Sequence, residues 1–397
     1  MTDTALTATR RTDFLRFVKS NIRDYALLLS LLAIMVFFQF TTHGTLFMPL
    51  NMTNIVLQNS YIVIMALGML LIIVAGHIDL SVGSVSGFVG AVAAVLMVNN
   101  HMDVLSASAI CLVLGGVIGG VQGAFIARFK IPAFIVTLAG MLIFKGLELW
   151  ILGGESVGPF PHQFQLLSSG FVPDVFGVPG FNVLGMAIGL IVTGLIIFFN
   201  IRERRNQLAH GLAEEPGIIF VGRNLLLAAA FLGFSFLMAS YKGLPNVLIV
   251  MFALIALFTF VTTRTTIGRR IYAMGGNEKA AKLSGVNTER LTFLAFANMG
   301  VLAAVAGLIF AARLNVATPK AGAGFELDVI AACFIGGAAT TGGVGKVVGA
   351  VIGAFIMGVM NNGMSILGVG IDLQQVIKGS VLLLAVFLDT YYKNKAV

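Results

Sequence analysis

Apolar runs follow one another along almost the whole chain, broken only by short polar or Gly-rich stretches. They fall near 25–40, 55–75, 80–98, 104–127, 132–152, 183–200, 224–240, 247–263, 291–312, 328–345, 347–369 and 374–390. A run of about 20 residues, at ~1.5 Å rise each, covers the hydrocarbon core of a bilayer. Stretches such as 66–75 (ALGMLLIIVA) and 247–261 (VLIVMFALIALFTFV) are apolar on every side and lack the period-2 alternation of barrel strands. The pattern predicts an all-α, polytopic membrane helical bundle. Two junctions are too short and too rich in glycine to be ordinary loops: 76–83 (GHIDLSVG) and 336–345 (GGAATTGGVG). With half-helices or re-entrant pieces flanking them, about ten transmembrane helices fit as well as twelve segments. Each junction precedes a small-residue helix, a weak internal repeat of the kind transporters carry.

Composition agrees: the 397 residues are 58% hydrophobic and 11% charged, against roughly 25% charged in a soluble domain. The net charge of +8 raises the question of nucleic acid, and the placement of the basic residues answers it. Arg10, Arg11, Arg16, Lys19 and Arg23 precede the first run, Arg128 and Lys130 follow the fourth, Arg202, Arg204, Arg205 and Arg223 the sixth. Arg264, Arg269, Arg270, Lys279, Lys282 and Arg290 follow the eighth, and Lys393 and Lys395 close the chain; 153–182 holds no Lys or Arg. This alternation is the positive-inside pattern. It predicts a cytoplasmic segment 1–24, a transmembrane domain 25–390, cytoplasmic loops 201–223 and 264–290, an outer loop 153–182 and a cytoplasmic tail 391–397. Pro159, Pro161, Pro173 and Pro179 stiffen the outer loop. The cysteines, Cys111 and Cys333, lie far apart in apolar runs and are assigned to packing.

Polar residues within the runs admit two readings each. His77, Asp79 and Ser81 either line a substrate path at a broken helix or cap and tune the next helix. Lys145 and Glu148, three apart on one helix face, form a structural ion pair or take part in gating. Asn361 and Asn362 either hydrogen-bond sugar hydroxyls or bridge helices. The spacing of Gly115, Gly119 and Gly123 is a helix-packing pattern.

No catalytic constellation is present. The five histidines are scattered without metal spacing. The stretch 342–347 fails as a phosphate loop, with Thr340 in the place of its first glycine and Val347 in that of its Ser/Thr. The loop 268–285 (GRRIYAMGGNEKAAKLSG) predicts a short helix: Asn277 suits its N-cap, Glu278 its positive end, and Gly285 a left-handed close. Ala280 and Ala281 would expose a small flat surface beside Leu283, either for docking in a partner's groove or as a solvated turn.

This loop resembles the coupling motif of ABC importer permeases, a two-Ala stretch followed by a Gly that meets the ATPase. The stretches 76–83, 131–140 (IPAFIVTLAG), 326–337 (ELDVIAACFIGG) and 361–363 (NNG) resemble the permeases of ribose, xylose and multiple-monosaccharide importers, the basic insertion and 158–161 (GPFP) the xylose and multiple-sugar type. The family's usual first junction has a second glycine where this chain has His77. The resemblance implies import of a monosaccharide by alternating access, with a second permease copy, a cytoplasmic ABC ATPase subunit and a periplasmic sugar-binding protein as partners. It implies Asn277, Glu278, Ala280, Ala281, Leu283 and Gly285 as the ATPase contact, a bacterial inner-membrane location with both termini inside, and no cofactor in this chain, ATP and magnesium belonging to the ATPase. Two other readings stay open: a branched-chain amino acid permease of the same superfamily, and a proton-coupled secondary sugar carrier, which would need a titratable relay within the spans.

Overall fold

The computed structural model describes residues 22–211 and 215–396. The cytoplasmic segment expected over 1–24, with Arg10, Arg11, Arg16 and Lys19, lies almost wholly outside them. The fold is helical throughout: α1 (Ile22–Thr41), α2 (Pro49–Val74), α3 (Val82–Ala94), α4 (Val104–Ala127), α5 (Ala133–Leu152), α6 (His162–Ser169), α7 (Val183–Ala209), α8 (Gly217–Ala239), α9 (Asn246–Arg264), α10 (Thr266–Gly276), α11 (Glu278–Leu283), α12 (Thr288–Leu314), α13 (Phe325–Ile335), α14 (Val347–Ile366) and α15 (Ile371–Ala396). Among the described residues, nine helices are long and apolar enough to cross a membrane, α3 being counted with the π-helical turn Val95–Asn99 that continues it, and the apolar part of α1, Ala26–Thr41, is a shorter apolar helix. Among the described residues β-structure is limited to two isolated bridges, Val157 with Ala317 and Phe171 with Pro245.

Every expected apolar run contains a helix, but three boundaries move. The run at 328–345 is helical only over α13; residues 336–346 turn back on themselves, where Ala339 N donates to Val344 O at 2.9 Å. The basic stretch 201–223 is not a loop: α7 continues to Ala209 and α8 starts at Gly217. Its cations are used locally, with Arg223 paired to Glu215 at 3.3 Å and the Arg204 guanidinium 4.4 Å from the centre of the Phe220 ring, which lets the helices extend past the apolar window. The tail expected at 391–397 is helical through Ala396 as the end of α15.

The inner layer consists of α2, α3, α12 and α14, whose side chains are mostly buried, together with α13, buried over Val329–Cys333. The pair α7 and α8 lies at the rim and turns most of its apolar surface outward. At the centre, α4 crosses α12 with main chain against main chain. A Cβ on Gly115 or Gly119 would overlap the carbonyl of Gly300 or Phe296, and one on Gly300 the carbonyl of Gly115. Small residues permit this approach, and dispersion between the closely apposed backbones holds it. Outside the spans, 153–182 is fastened down: Val157 and Ala317 exchange two 2.9 Å hydrogen bonds, Phe160 N donates to Asn315 Oδ1 at 2.8 Å, and Asn246 N to Gly170 O at 2.9 Å. It shares one end of the bundle with 315–317 and 244–246, and α9 carries the chain from there to the opposite end, where α10 and α11 lie.

Candidate transport path and coupling surface

At the end bearing α10 and α11, each short helix is capped by the residue its sequence supplies. Thr265 Oγ1 accepts from Gly268 N at 3.1 Å, Asn277 Oδ1 from Ala280 N at 2.9 Å and Asn287 Oδ1 from Arg290 N at 2.9 Å. Glu278 opens α11 and Lys282 lies in its last turn, both matched to the helix dipole. Gly285 closes α11 at φ +81°, a conformation that disfavours any Cβ, and Val286 N returns to Ala281 O at 3.0 Å. One expectation is corrected: Ala281 faces inward and is 6% exposed. An α-helix places residues 280 and 281 on different faces, so Ala281 seats α11 while Ala280 and Leu283, the latter 90% exposed, present the outer face.

Beneath this surface three elements meet. Sequence periodicity in α10 buries Ile271 and Met274, and its last turn rests on the end of α2 and on the loop before α14. A Cβ on Gly275 would overlap Val74 O and stand 2.7 Å from Gly343 N. Gly343 N donates to Val74 O at 2.8 Å, and Tyr272 Oη to Gly345 O at 2.7 Å. Burial raises the Tyr272 phenol above its ordinary pKa, which keeps it a donor. The two Gly-rich junctions therefore touch each other here, since a Cβ on Gly342 would lie 3.2 Å from Gly76 Cα.

The first junction ends α2 through Gly76, at φ +84°. His77 is half-buried, with its ring 5.9 Å from that of Phe296, and burial lowers its pKa so that it is neutral at pH 7. Asp79 is buried and accepts from Ser81 N at 2.8 Å and Ser81 Oγ at 2.7 Å. Burial pushes its carboxyl up to about 6 despite these bonds. The Gln122 amide lies 3.1 Å from Ser81 Oγ, and Thr137 Oγ1 donates to Ile78 O at 3.5 Å. The node holds no water-sized void. Asp79 and Ser81 thus shape the start of α3 by a turn of their own, without a side-chain bond from Ser81 as N-cap.

The remaining polar residues gather at α13. Eleven residues long, α13 spans only about 16 Å at ~1.5 Å per residue, against a hydrocarbon core of ~30 Å. Lys145 Nζ bonds Glu148 Oε2 at 2.8 Å and Ala321 O at 3.0 Å, and the Glu148 side chain is fully buried. Asp328 Oδ2 receives Lys378 Nζ at 3.0 Å and Asn361 Nδ2 at 3.3 Å. Asn362 exchanges two amide hydrogen bonds with Asn51, at 2.9 and 3.0 Å, so it bridges α14 to α2. Tyr61 packs 4.5 Å from Phe325 and 5.1 Å from Phe310. The pair of asparagines in 361–363 divides: Asn362 holds helices together, whereas Asn361 joins an ion pair. Asp328, Lys378 and Tyr61 were not among the residues singled out in the sequence. The available signal was Lys378, an ionisable residue inside an apolar run that requires a partner. Elsewhere a cavity of about 310 Å³ between α1, α2, α8, α9 and α14 is walled by Met, Phe, Leu, Ile, Val and Ala alone, and offers a sugar no hydrogen bond. Among the described residues no group of His, Cys, Asp and Glu has the arrangement of a metal site.

Residues 51–386 match the family described as branched-chain amino acid transport system / permease component. The chain belongs to this permease family. It is a transport component and not an enzyme, and such permeases carry no cofactor. The permease is 40% identical to the xylose transport system permease protein XylH of Escherichia coli (strain K12) over 376 residues, 95% of this chain and 94% of that protein. It is 39% identical to XylH of Haemophilus influenzae (strain Rd) over 375 residues, 94% of this chain and 98% of that protein. It is 34% identical to the ribose import permease protein RbsC of E. coli (strain K12) over 375 residues, 94% of this chain and 95% of that protein. No solved structure matches the permease.

Proposed function

We propose that the permease carries a monosaccharide, of the xylose type, across the bacterial inner membrane as the transmembrane part of an ABC importer. Full-length likeness to two kinds of sugar permease carries this reading. The family description names branched-chain amino acids, but the polar cluster at α13 suits hydroxyl groups better than an aliphatic side chain. Transport by alternating access requires two permease copies around one path, since one chain presents one α11 and nucleotide-binding domains work as a pair. A cytoplasmic ABC ATPase would bind Ala280, Leu283 and the Asn277–Glu278 end of α11, and a periplasmic sugar-binding protein would dock on 153–182. Both termini are then cytoplasmic, with 264–290 inside and α13 a discontinuous helix reaching only part of the membrane depth.

In the cycle, closure of the ATPases displaces α11. The displacement reaches α2 and α14 through the contacts of Gly275, Tyr272 and Gly343, and the inner layer reorients to open the path inward. The test is uptake of labelled xylose, ribose and leucine by vesicles holding the purified assembly, with and without internal ATP. Monosaccharide uptake that requires ATP is expected. Uptake of leucine alone, or sugar uptake without ATP that a protonophore abolishes, overturns the reading.

A further inference from the structure

The polar groups at α13 have more hydrogen-bonding capacity than the protein uses. Lys378 and Asn361 both approach the same carboxylate oxygen of Asp328, Oδ2. Its other oxygen accepts no bond among the described residues, and Asn361 Oδ1 is buried without a partner. The Tyr61 hydroxyl has no hydrogen-bond partner among the described residues either. Lys378 carries three donors and uses one here. The pair is also incompletely covered, with side-chain exposures of 25% for Lys378 and 13% for Asp328. A salt bridge serving only to join helices inside a membrane is expected to be saturated, because each unmet polar atom there is costly.

The placement supplies a second observation. Tyr61 is midway along α2, and Asp328 is in the first turn of α13, the helix too short to span. Broken helices at the middle of a transporter free polar groups to face a cavity. Beside the charged pair, the Tyr61 ring continues an aromatic surface with Phe310 and Phe325. A monosaccharide offers the complement: a ring of hydroxyls that both donate and accept, and a C–H face that packs on aromatic carbon.

Resting on the reading of the chain as a monosaccharide permease, we propose that Tyr61, Asp328, Asn361 and Lys378 form a sugar-contact station on the translocation path. Asp328 and Asn361 accept from sugar hydroxyls, Lys378 donates to one, and the Tyr61 hydroxyl closes the set. Few contacts make the station weak, as a waypoint must be if the sugar is to leave it.

The test uses the reconstituted assembly and labelled xylose and ribose, which differ at one hydroxyl-bearing centre. Tyr61→Phe removes only an oxygen that no protein group engages, so folding is preserved; Asn361→Leu removes the unpartnered acceptor together with the donor to Asp328, and Asn361→Gln keeps an amide with both. Loss of one sugar hydrogen bond corresponds to about threefold to tenfold in rate. Tyr61→Phe and Asn361→Leu are expected to lower uptake by that factor and to change the xylose-to-ribose ratio. ATP hydrolysis stimulated by loaded binding protein should stay near the wild-type level, and Asn361→Gln should keep most of the transport. Wild-type rates with an unchanged sugar ratio overturn the proposal, as does parallel loss of uptake and hydrolysis. Failure of the wild-type assembly to import either sugar overturns the functional reading itself, and the station with it.

Discussion

The seat of α10 yields a pair of neighbouring substitutions with opposite expectations. At Gly275 an added Cβ overlaps Val74 O and lies 2.7 Å from Gly343 N, whereas at Gly276 an added Cβ meets nothing within 4 Å. Both opposing atoms at Gly275 are main chain, so no rotamer change relieves the overlap. The end of α10 must withdraw, and the hydrogen bond from Gly343 N to Val74 O, 2.8 Å long, is pulled with it. Overpacking of a close contact costs about 1–3 kcal/mol, and an orphaned buried backbone pair ~1–3 kcal/mol more. Gly275→Ala should therefore destabilise this arrangement by about 2–6 kcal/mol, which lowers its population at least ~30-fold relative to any competing arrangement. Gly276→Ala should be neutral or slightly stabilising, since Ala is favoured over Gly in a helix by ~1 kcal/mol. Uptake by reconstituted vesicles, normalised to the permease incorporated, and ATP hydrolysis by the same assembly measure both effects. Gly275→Ala is expected to lose transport while retaining the ATPase on the outer face of α11. Equal activity of the two variants, or greater damage from Gly276→Ala, would refute the assignment of Gly275 as the mechanical contact.

Gly285→Glu meets no neighbouring atom but forces a side chain into φ +81°, at about 1–2 kcal/mol, and brings charge to the face beside Leu283. Normal amounts in the membrane with loss of the ATPase subunit on co-purification are expected, and full ATPase retention would remove α11 as the docking helix. The Asp79 carboxyl, raised to about 6 by burial, favours the folded state most when protonated. Its contribution is present below the ordinary carboxylate pKa and is lost as pH rises through about 6. Thermal stability in detergent should fall as pH rises from about 4 to about 6, and Asp79→Asn should flatten that slope; an unchanged slope refutes this. Val175 and Phe176, 78% and 65% exposed, should, as single cysteines, react with an impermeant maleimide added outside the cell. The native Cys111 and Cys333 are buried and should stay silent, so labelling from the cytoplasmic side alone would reverse the topology.

Local chemistry was legible in the sequence wherever a residue acts on its own helix. Asn277 as cap, Gly285 as left-handed stop and Gly115 with Gly119 as a packing face are each fixed by neighbours a few positions away. Features that depend on distant partners were not legible. Asn361 and Asn362 are adjacent and chemically identical, yet one meets Asp328 and Lys378 and the other Asn51 across the bundle. Ala281 looked like part of the outer surface because helix composition does not state which side of a short helix faces the protein. The basic stretch 201–223 read as a loop because polarity marks the membrane boundary, while helical hydrogen bonding continues beyond it. The 11-residue length of α13 was hidden by apolar residues after Ile335 that are buried in turns instead of in helix.

The crossing of α4 and α12 has a mechanical consequence. A seam of main-chain atoms contains no side chain that can rotate to absorb a displacement, so the two helices move as a single beam. Its joints must lie at its ends. One end is tied by Lys130 to Glu289 at 3.1 Å, and Lys130 itself takes φ +58°; the other passes through Asn315, also at φ +58°, which holds the 153–182 layer through Phe160 N. A protein settling on 153–182 would thus push on one end of a lever whose other end lies beside α11.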